Sequence, residues 1–243
     1  MSDPWRGKCY WLVGASEGLG RALAERLSAA GATLYLSARN ADRLQELADA
    51  LPGPAVVAPL DLRDAATVAK AFARIDRPLD GMIFCAGLYE PLDAAHWDAD
   101  AVEAMCDVNF TGAARVLGQA VPAMLAQGRG HIVLIGSLAG LVGLPRSIGY
   151  GASKAGVIHM AESLRADLPD AIKVQVINPG FIKTRLTDKN DFKMPFILSA
   201  EDAAARTVRL MERGRFRGYY PWRFAALFRA ARLLPDWLYF RLV

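Results

Sequence analysis

Six short apolar runs recur along the chain, at Cys9–Val13, Thr33–Leu36, Ala55–Ala58, Met82–Phe84, His131–Ile135 and Lys173–Ile177. Each is too short for a helix, and none alternates strictly between apolar and polar residues, which is how strands buried on both faces of a sheet read. Between them lie segments of helical period: Leu19, Leu23 and Leu27 repeat every four residues, and Leu44 and Leu47 serve the next segment. This alternation predicts repeated βαβ units and an α/β fold with a doubly wound parallel sheet. A chain of 243 residues can bury roughly 70% of its unfolded surface around one core, so one domain over 1–243 is expected, with no disulfide or metal needed to hold it.

Several function classes fall away on composition. Cys9, Cys85 and Cys106 form an odd, scattered set without CxxC or Cys/His spacing, which argues against a secreted disulfide framework or a zinc site and predicts a reducing, cytoplasmic compartment. His96, His131 and His159 have no mutual metal spacing. Met1–Arg6 does not open a leader pattern, and the longest uncharged stretch, Gly130–Pro145, is shorter than the roughly 20 residues of a membrane span. The formal charge of +4 hides an asymmetry: Arg206–Val243 carries nine arginines against Glu212 and Asp236, a surplus of +7 that leaves −3 for the rest. No nucleic-acid motif accompanies that charge, and no nucleic-acid partner is expected.

The first apolar run leads into Gly14-Ala15-Ser16-Glu17-Gly18-Leu19-Gly20 and then a helical segment. Three glycines there let the backbone turn sharply and let a pyrophosphate approach main-chain N–H groups at the positive end of a helix. An ordinary glycine-rich turn is the plainer reading. After the second run stands Ser37-Ala38-Arg39, with no acid to bind both ribose hydroxyls, so Arg39 favours a 2′-phosphate and NADP(H) unless it is a solvated loop arginine. Asp61-Leu62 places an acceptor where an adenine amino group would reach it, although alone Asp61 reads as a turn residue or helix cap. Tyr150 and Lys154 stand at i and i+4 and share a helical face. Ser137 follows the fifth run, at the strand end where open α/β sheets keep their ligands. A neighbouring ammonium lowers a tyrosine pKa, which predicts proton exchange near neutral pH. A lone YxxxK would be a surface pair; with Ser137 and the glycine turn it reads as chemistry.

On these residues the chain resembles the short-chain dehydrogenase/reductase family over roughly Gly7–Thr184. The matching elements are Gly14, Gly18 and Gly20; Asp61; Ala86-Gly87; Asn109 in Val108-Asn109-Phe110-Thr111-Gly112; Ser137; Tyr150-Gly151-Ala152-Ser153-Lys154; and Pro179-Gly180 with Thr184. The resemblance implies a Rossmann-type three-layer αβα domain, a dimer or tetramer, and an oxidoreductase acting on a carbonyl or secondary alcohol, for which Arg39 favours NADP(H) as the cofactor. It implies that Asn109 supports a water relay to Lys154, that Ser137 polarises the carbonyl, and that Tyr150 is the acid/base. Lys154 would hold the nicotinamide ribose, and Ile182 and Thr184 would meet the carboxamide. Outside the resemblance, Asn109 and Thr184 each read as helix caps. Phe84-Cys85 stands where the family often has two asparagines, and Val13 where it has threonine. A catalytically silent NADP-binding regulator or scaffold is the alternative, against which the complete set Asn109, Ser137, Tyr150 and Lys154 argues.

Leu138, Leu141, Val142 and Leu144 follow Ser137, and Phe181, Phe192, Met194, Phe196 and Ile197 decorate the irregular stretch Phe181–Leu198. These predict an apolar pocket for a hydrophobic or lipid-like substrate, with a substrate loop over 185–200. In the extension 221–243, Phe224, Leu227, Phe228, Ala231 and Leu234 fall on one helical face, beside Arg229 and Arg232, with Trp222, Trp237, Tyr239 and Phe240 nearby and Pro235 as an interruption. That face packs on the protein or a partner subunit, or meets an anionic membrane peripherally.

Overall fold

A computed structural model describes residues 4–243; of the Met1–Arg6 stretch read against a leader pattern, Met1, Ser2 and Asp3 lie outside the described residues. The six apolar runs are strands: β1 Cys9–Val13, β2 Thr33–Ser37, β3 Ala55–Val57, β4 Gly81–Phe84, β5 Gly130–Ile135 and β6 Ile172–Pro179. A further strand, β7 at Arg217–Tyr220, joins the edge. All pair in parallel in the order β3-β2-β1-β4-β5-β6-β7. The direction of winding reverses between β1 and β4, and at such a switch the carboxyl ends of the two strands open a crevice.

Successive strand residues feed two different cores. Cys9, Trp11 and Val13 pack on one face, and Tyr10 and Leu12 on the other. Both faces are apolar because both are covered, so no polar alternation survives in the sequence. Over one face lie α1 Gly18–Ala29, α2 Ala41–Ala50 and α7 Ala200–Arg213, which bury Leu19, Leu23, Leu27, Leu44 and Leu47 as the spacing predicts. Over the other lie α3 Ala65–Phe72, α5 Gly112–Gln127 and α6 Ile148–Asp167, with α4 Ala99–Cys106 running through one π-helical turn at Asp107–Thr111 into α5.

β7 reads Arg-Gly-Tyr-Tyr and has no apolar run to announce it. Buried Gln175 on β6 fixes the chain ahead of it, its Nε2 donating to Leu210 O at 3.1 Å and Arg215 O at 2.7 Å. The extension then forms α8 Trp222–Ala231 and α9 Asp236–Leu242, parted at Pro235. Its expected single apolar face splits. Phe224, Ala225 and Phe228 turn inward, and burial of Ala225 rotates Leu227 out to 64% exposure.

Candidate active site

The crevice at the strand switch is a cleft of about 850 Å³ running from the glycine turn to the end of β6. At Gly14, φ is +92°, and a Cβ there would stand 2.5 Å from Ala86 N; one on Gly20 would stand 1.9 Å from Gly14 O. The turn is thus folded tightly on itself and on the chain beyond β4. Cys85 N donates to Val13 O at 2.8 Å, so backbone alone ties β1 to that segment, with no hydroxyl needed at Val13. The first turn of α1 has neither a side-chain cap nor an acid, which leaves N–H donors and the positive helix end for an anion. Ser16, Gly18 and Leu19 line this end, and Gly18 abuts Thr184, whose Cγ2 would lie 2.9 Å from an added Cβ.

Buried Ser37 sets the next wall. Its Oγ accepts from Trp11 Nε1 at 2.9 Å and donates to Ala58 O at 2.5 Å, fixing the carboxyl end of β2. Arg39 follows, exposed on the rim and without an ion-pair partner among the described residues. Asn40 caps α2 by accepting from Arg43 N at 2.9 Å. Arg43 pairs with Glu17 at 3.1 Å, a carboxylate that Arg185 also holds at 2.6 Å. Residues Asn40, Arg43, Glu17 and Arg185, absent from the sequence expectation, therefore share this rim. Asp61 and Leu62 line the cleft, but Asp61 is also a turn residue: Arg63 N donates to its Oδ1 at 3.0 Å and the Arg63 guanidinium to its Oδ2 at 2.7 Å. Hydrogen bonding from Arg63 holds the Asp61 carboxyl below the usual range, with Arg39 adding to the effect.

The residues expected to react lie just past β5 and on α6. Past β5, Gly136 leaves no room for a side chain, since a Cβ would meet buried Asn178 Oδ1 at 2.2 Å. Ser137 then caps a short 3-10 turn, its Oγ accepting from Ala139 N at 3.1 Å. Gly140 lets that turn lie on α6, where a Cβ would stand 2.8 Å from Lys154 C. Tyr150 and Lys154 share the α6 face expected of them, with Lys154 Nζ 5.9 Å from the Tyr150 ring centroid. Lys154 is buried and donates to Ile135 O at 2.9 Å. Burial pushes Lys154 down to about 8 and Tyr150 up to about 12, with a Ser137 hydrogen bond pulling Tyr150 the other way. This differs from the near-neutral tyrosine predicted from spacing, because desolvation of the phenolate outweighs an ammonium directed at a backbone carbonyl. Cys85 is likewise pushed up to about 12 by burial, which keeps it a thiol.

Asn109 is neither a cap nor exposed. It lies in the π-helical turn, fully buried, accepting from Leu88 N at 2.7 Å and donating to Leu88 O and Ser153 Oγ at 2.9 Å each. A Cβ on Gly87 would sit 3.8 Å from Lys154 Nζ and 3.9 Å from Asn109 Oδ1, so the two flank the same point of the cleft. Ala86, Gly87, Pro179, Gly180, Ile182 and Thr184 all line it.

The stretch between β6 and α7 is pinched at its base by a bridge between Ile182 and Leu198, with Lys183 N donating to Leu198 O at 2.8 Å. Within it Arg185 reaches Glu17, Lys189 pairs with Glu90, and Arg146 holds Asp191 at 2.5 Å. Tyr89 donates to Asn190 Oδ1 at 2.8 Å while its ring meets Tyr150 edge-on, centroids 5.1 Å apart. Thr184 ends no helix: its N–H donates to Thr187 Oγ1 at 3.0 Å and its carbonyl accepts from Thr187 and Asp188. Among the described residues no group of three His, Cys, Asp or Glu side chains is placed to hold a metal.

Residues 8–194 match the family model described as short chain dehydrogenase. An uncharacterised oxidoreductase of Myxococcus xanthus is 37% identical over 243 residues, covering 94% of this chain and 93% of that protein. Among solved structures, a short-chain dehydrogenase from Sphingobium yanoikuyae in complex with NADPH superposes with a TM-score of 0.82 at 26% identity, over 93% of this chain and 94% of its own. A short chain dehydrogenase/reductase from Burkholderia phymatum in complex with NAD gives 0.84 at 25% identity, over 94% of each. With a glycine turn at the sheet's switch point, Ser137, Tyr150 and Lys154 on one cleft, and these matches across nearly all its length, the chain is an oxidoreductase belonging to the short-chain dehydrogenase/reductase family.

Proposed function

We propose that this oxidoreductase moves a hydride between NADP(H) and a hydrophobic carbonyl or secondary alcohol, with Tyr150 giving or taking the oxygen's proton. One observation carries the reading: Ser137, Tyr150 and the buried Lys154 stand together on the cleft that begins at the glycine turn. The cradle fits a dinucleotide, since the glycine turn packs tightly enough to bring its main chain to the cleft and the end of α1 offers uncapped donors. When bound, the nicotinamide supplies the hydride. Ser137 donates to the substrate oxygen, and Tyr150, which keeps its proton up to about 12, is the acid for reduction. Lys154 spends one N–H on Ile135 O and keeps two for a ribose hydroxyl.

The two solved relatives divide between NADPH and NAD, so the choice of cofactor rests on Arg39. No acid competes for the ribose at Ala38, and the guanidinium is uncommitted on the rim. Of the apolar residues expected to shape the pocket, Leu138, Leu141, Val142, Leu144, Phe181, Phe192, Met194, Phe196 and Ile197, none lines the cleft; Leu88 and Leu186 do, and the hydrophobic substrate reading rests on them. The test is a panel of hydrophobic carbonyls assayed with NADPH and NADH, on the native protein and on Arg39→Ala. Loss of one charge-assisted contact worth about 1.5–3 kcal/mol should weaken NADPH roughly 10–100-fold and leave NADH nearly unchanged. Equal losses for both cofactors would remove Arg39 from 2′-phosphate recognition. NADPH binding without turnover on any carbonyl would return the silent-binder reading.

A further inference from the structure

We propose that α8, α9 and the adjoining loop between β6 and α7 form a docking face for the surface of an anionic phospholipid bilayer, beside the mouth of the cleft. The two helices and their linker carry Trp222, Leu233, Trp237 and Phe240, exposed by 70%, 86%, 69% and 72%. Large apolar side chains this exposed, and this many in a short segment, mark an interaction surface rather than ordinary scatter. Between them stand the exposed Arg223, Arg229, Arg232 and Arg241, opposed only by Asp236. Tryptophan with arginine on an interfacial helix is the composition that seats rings at the headgroup level and cations on lipid phosphates. Among the described residues no helix is long and apolar enough to cross a membrane, so the contact is peripheral.

The face is joined to the cleft mouth through side chains. Phe224 of α8 packs at a tilt on Phe181 and Phe196 of the loop between β6 and α7, centroids 5.8 and 5.9 Å apart, and a Cβ on Gly180 would touch it at 3.2 Å. At its other end, the Tyr239 hydroxyl of α9 donates to Gly143 O, in the loop that follows Ser137. That loop adds Phe192 and Phe196, both exposed, to the same aromatic cluster. A molecule dissolved in the bilayer would therefore meet the face next to Ser137 and Gly180. A second copy of the chain is the competing occupant. A two-fold contact through the two helices would set four exposed arginines on each side against one another, with one Asp236 per helix pair to offset them, and like charges brought together oppose docking. An anionic lipid surface offers the missing negative charge.

The proposal goes beyond the reductase reading, because adsorption needs no turnover. The experiment is sedimentation of the full chain with phosphatidylcholine vesicles, with and without phosphatidylserine, at low and high salt. Binding is expected only with phosphatidylserine, and weaker at high salt. Arg232→Gln with Arg241→Gln should lower the apparent affinity about fivefold per arginine. Trp222→Ser with Trp237→Ser should lower it further, and NADPH binding reports that each variant is folded. Absence of binding to phosphatidylserine vesicles at low salt overturns the proposal, as does full binding by both folded variants. A drop in solution mass caused by the tryptophan variant, with no vesicle binding by the native chain, assigns the face to a second copy instead. The carbonyl panel is run without vesicles, so failure of the docking face and failure of the reductase reading are told apart.

Discussion

Replacing Asn109 by alanine separates two roles for that side chain. The buried amide clamps both backbone groups of Leu88 and also donates to Ser153 Oγ. Alanine leaves the Leu88 N–H and C=O without those partners, whereas Ser153 keeps its bond to Tyr150 O at 2.8 Å. Each orphaned group costs about 1–3 kcal/mol, and because Leu88 is only half-buried, water recovers part of the loss, for an expected total of about 2–4 kcal/mol. For a chain of this size that is a fall of about 4–16 °C in Tm. Leu88 lines the cleft, so turnover should fall together with stability. Thermal unfolding and turnover measured on the same preparations test this, with Asn109→Asp alongside, which keeps the acceptor, loses the donor and should fall between. If the alanine variant unfolds within about 2 °C of the native protein while turnover disappears, Asn109 acts in proton relay and the clamp argument is refuted.

Tyr150→Phe should lower turnover by about two orders of magnitude or more, the scale of acid/base catalysis, while NADPH titration stays near native; near-native reduction of a confirmed substrate would rule out Tyr150 as the acid. A pH effect follows from His131, held between the Tyr10 hydroxyl at 2.8 Å and Gln175 Oε1 at 2.7 Å and pushed down by burial to about 4 from its ordinary 6.5. The unfolded chain therefore binds the extra proton first, and stability should fall by about 2–3 kcal/mol as pH drops from 6.5 to 4. Denaturant unfolding across that window, native against His131→Gln, reads the difference; an unchanged slope in the variant would locate the acid sensitivity elsewhere.

The sequence by itself determined the sheet and the position of its candidate site. Six runs without polar alternation read as strands covered on both faces, and each became one, because which face a strand residue takes depends only on its period of two. The glycine turn and the pairing of Tyr150 with Lys154 were equally legible, since a tight turn and an i, i+4 face are set by backbone geometry within a few residues. β7 was not legible: Arg-Gly-Tyr-Tyr has no apolar run, and Gln175, forty residues away, holds the chain that leads into it.

Tertiary structure decided what the site's residues do once placed. Spacing set an ammonium beside Tyr150 and so argued for an easily ionised phenol, yet Lys154 spends a hydrogen bond on Ile135 O and burial drives the phenol up to about 12. Asn109 could be read as a cap because its true partners lie on Leu88 and Ser153, in segments that meet only when β4 and α6 are packed. Leu227 belonged to the expected apolar face until Ala225 became the buried contact of α8 and turned it outward. Helical period, strand period and turn geometry are properties of neighbouring residues. Desolvation, hydrogen-bond partnership and the choice of buried face depend on atoms brought together from distant parts of the chain, and only the folded packing assigns them.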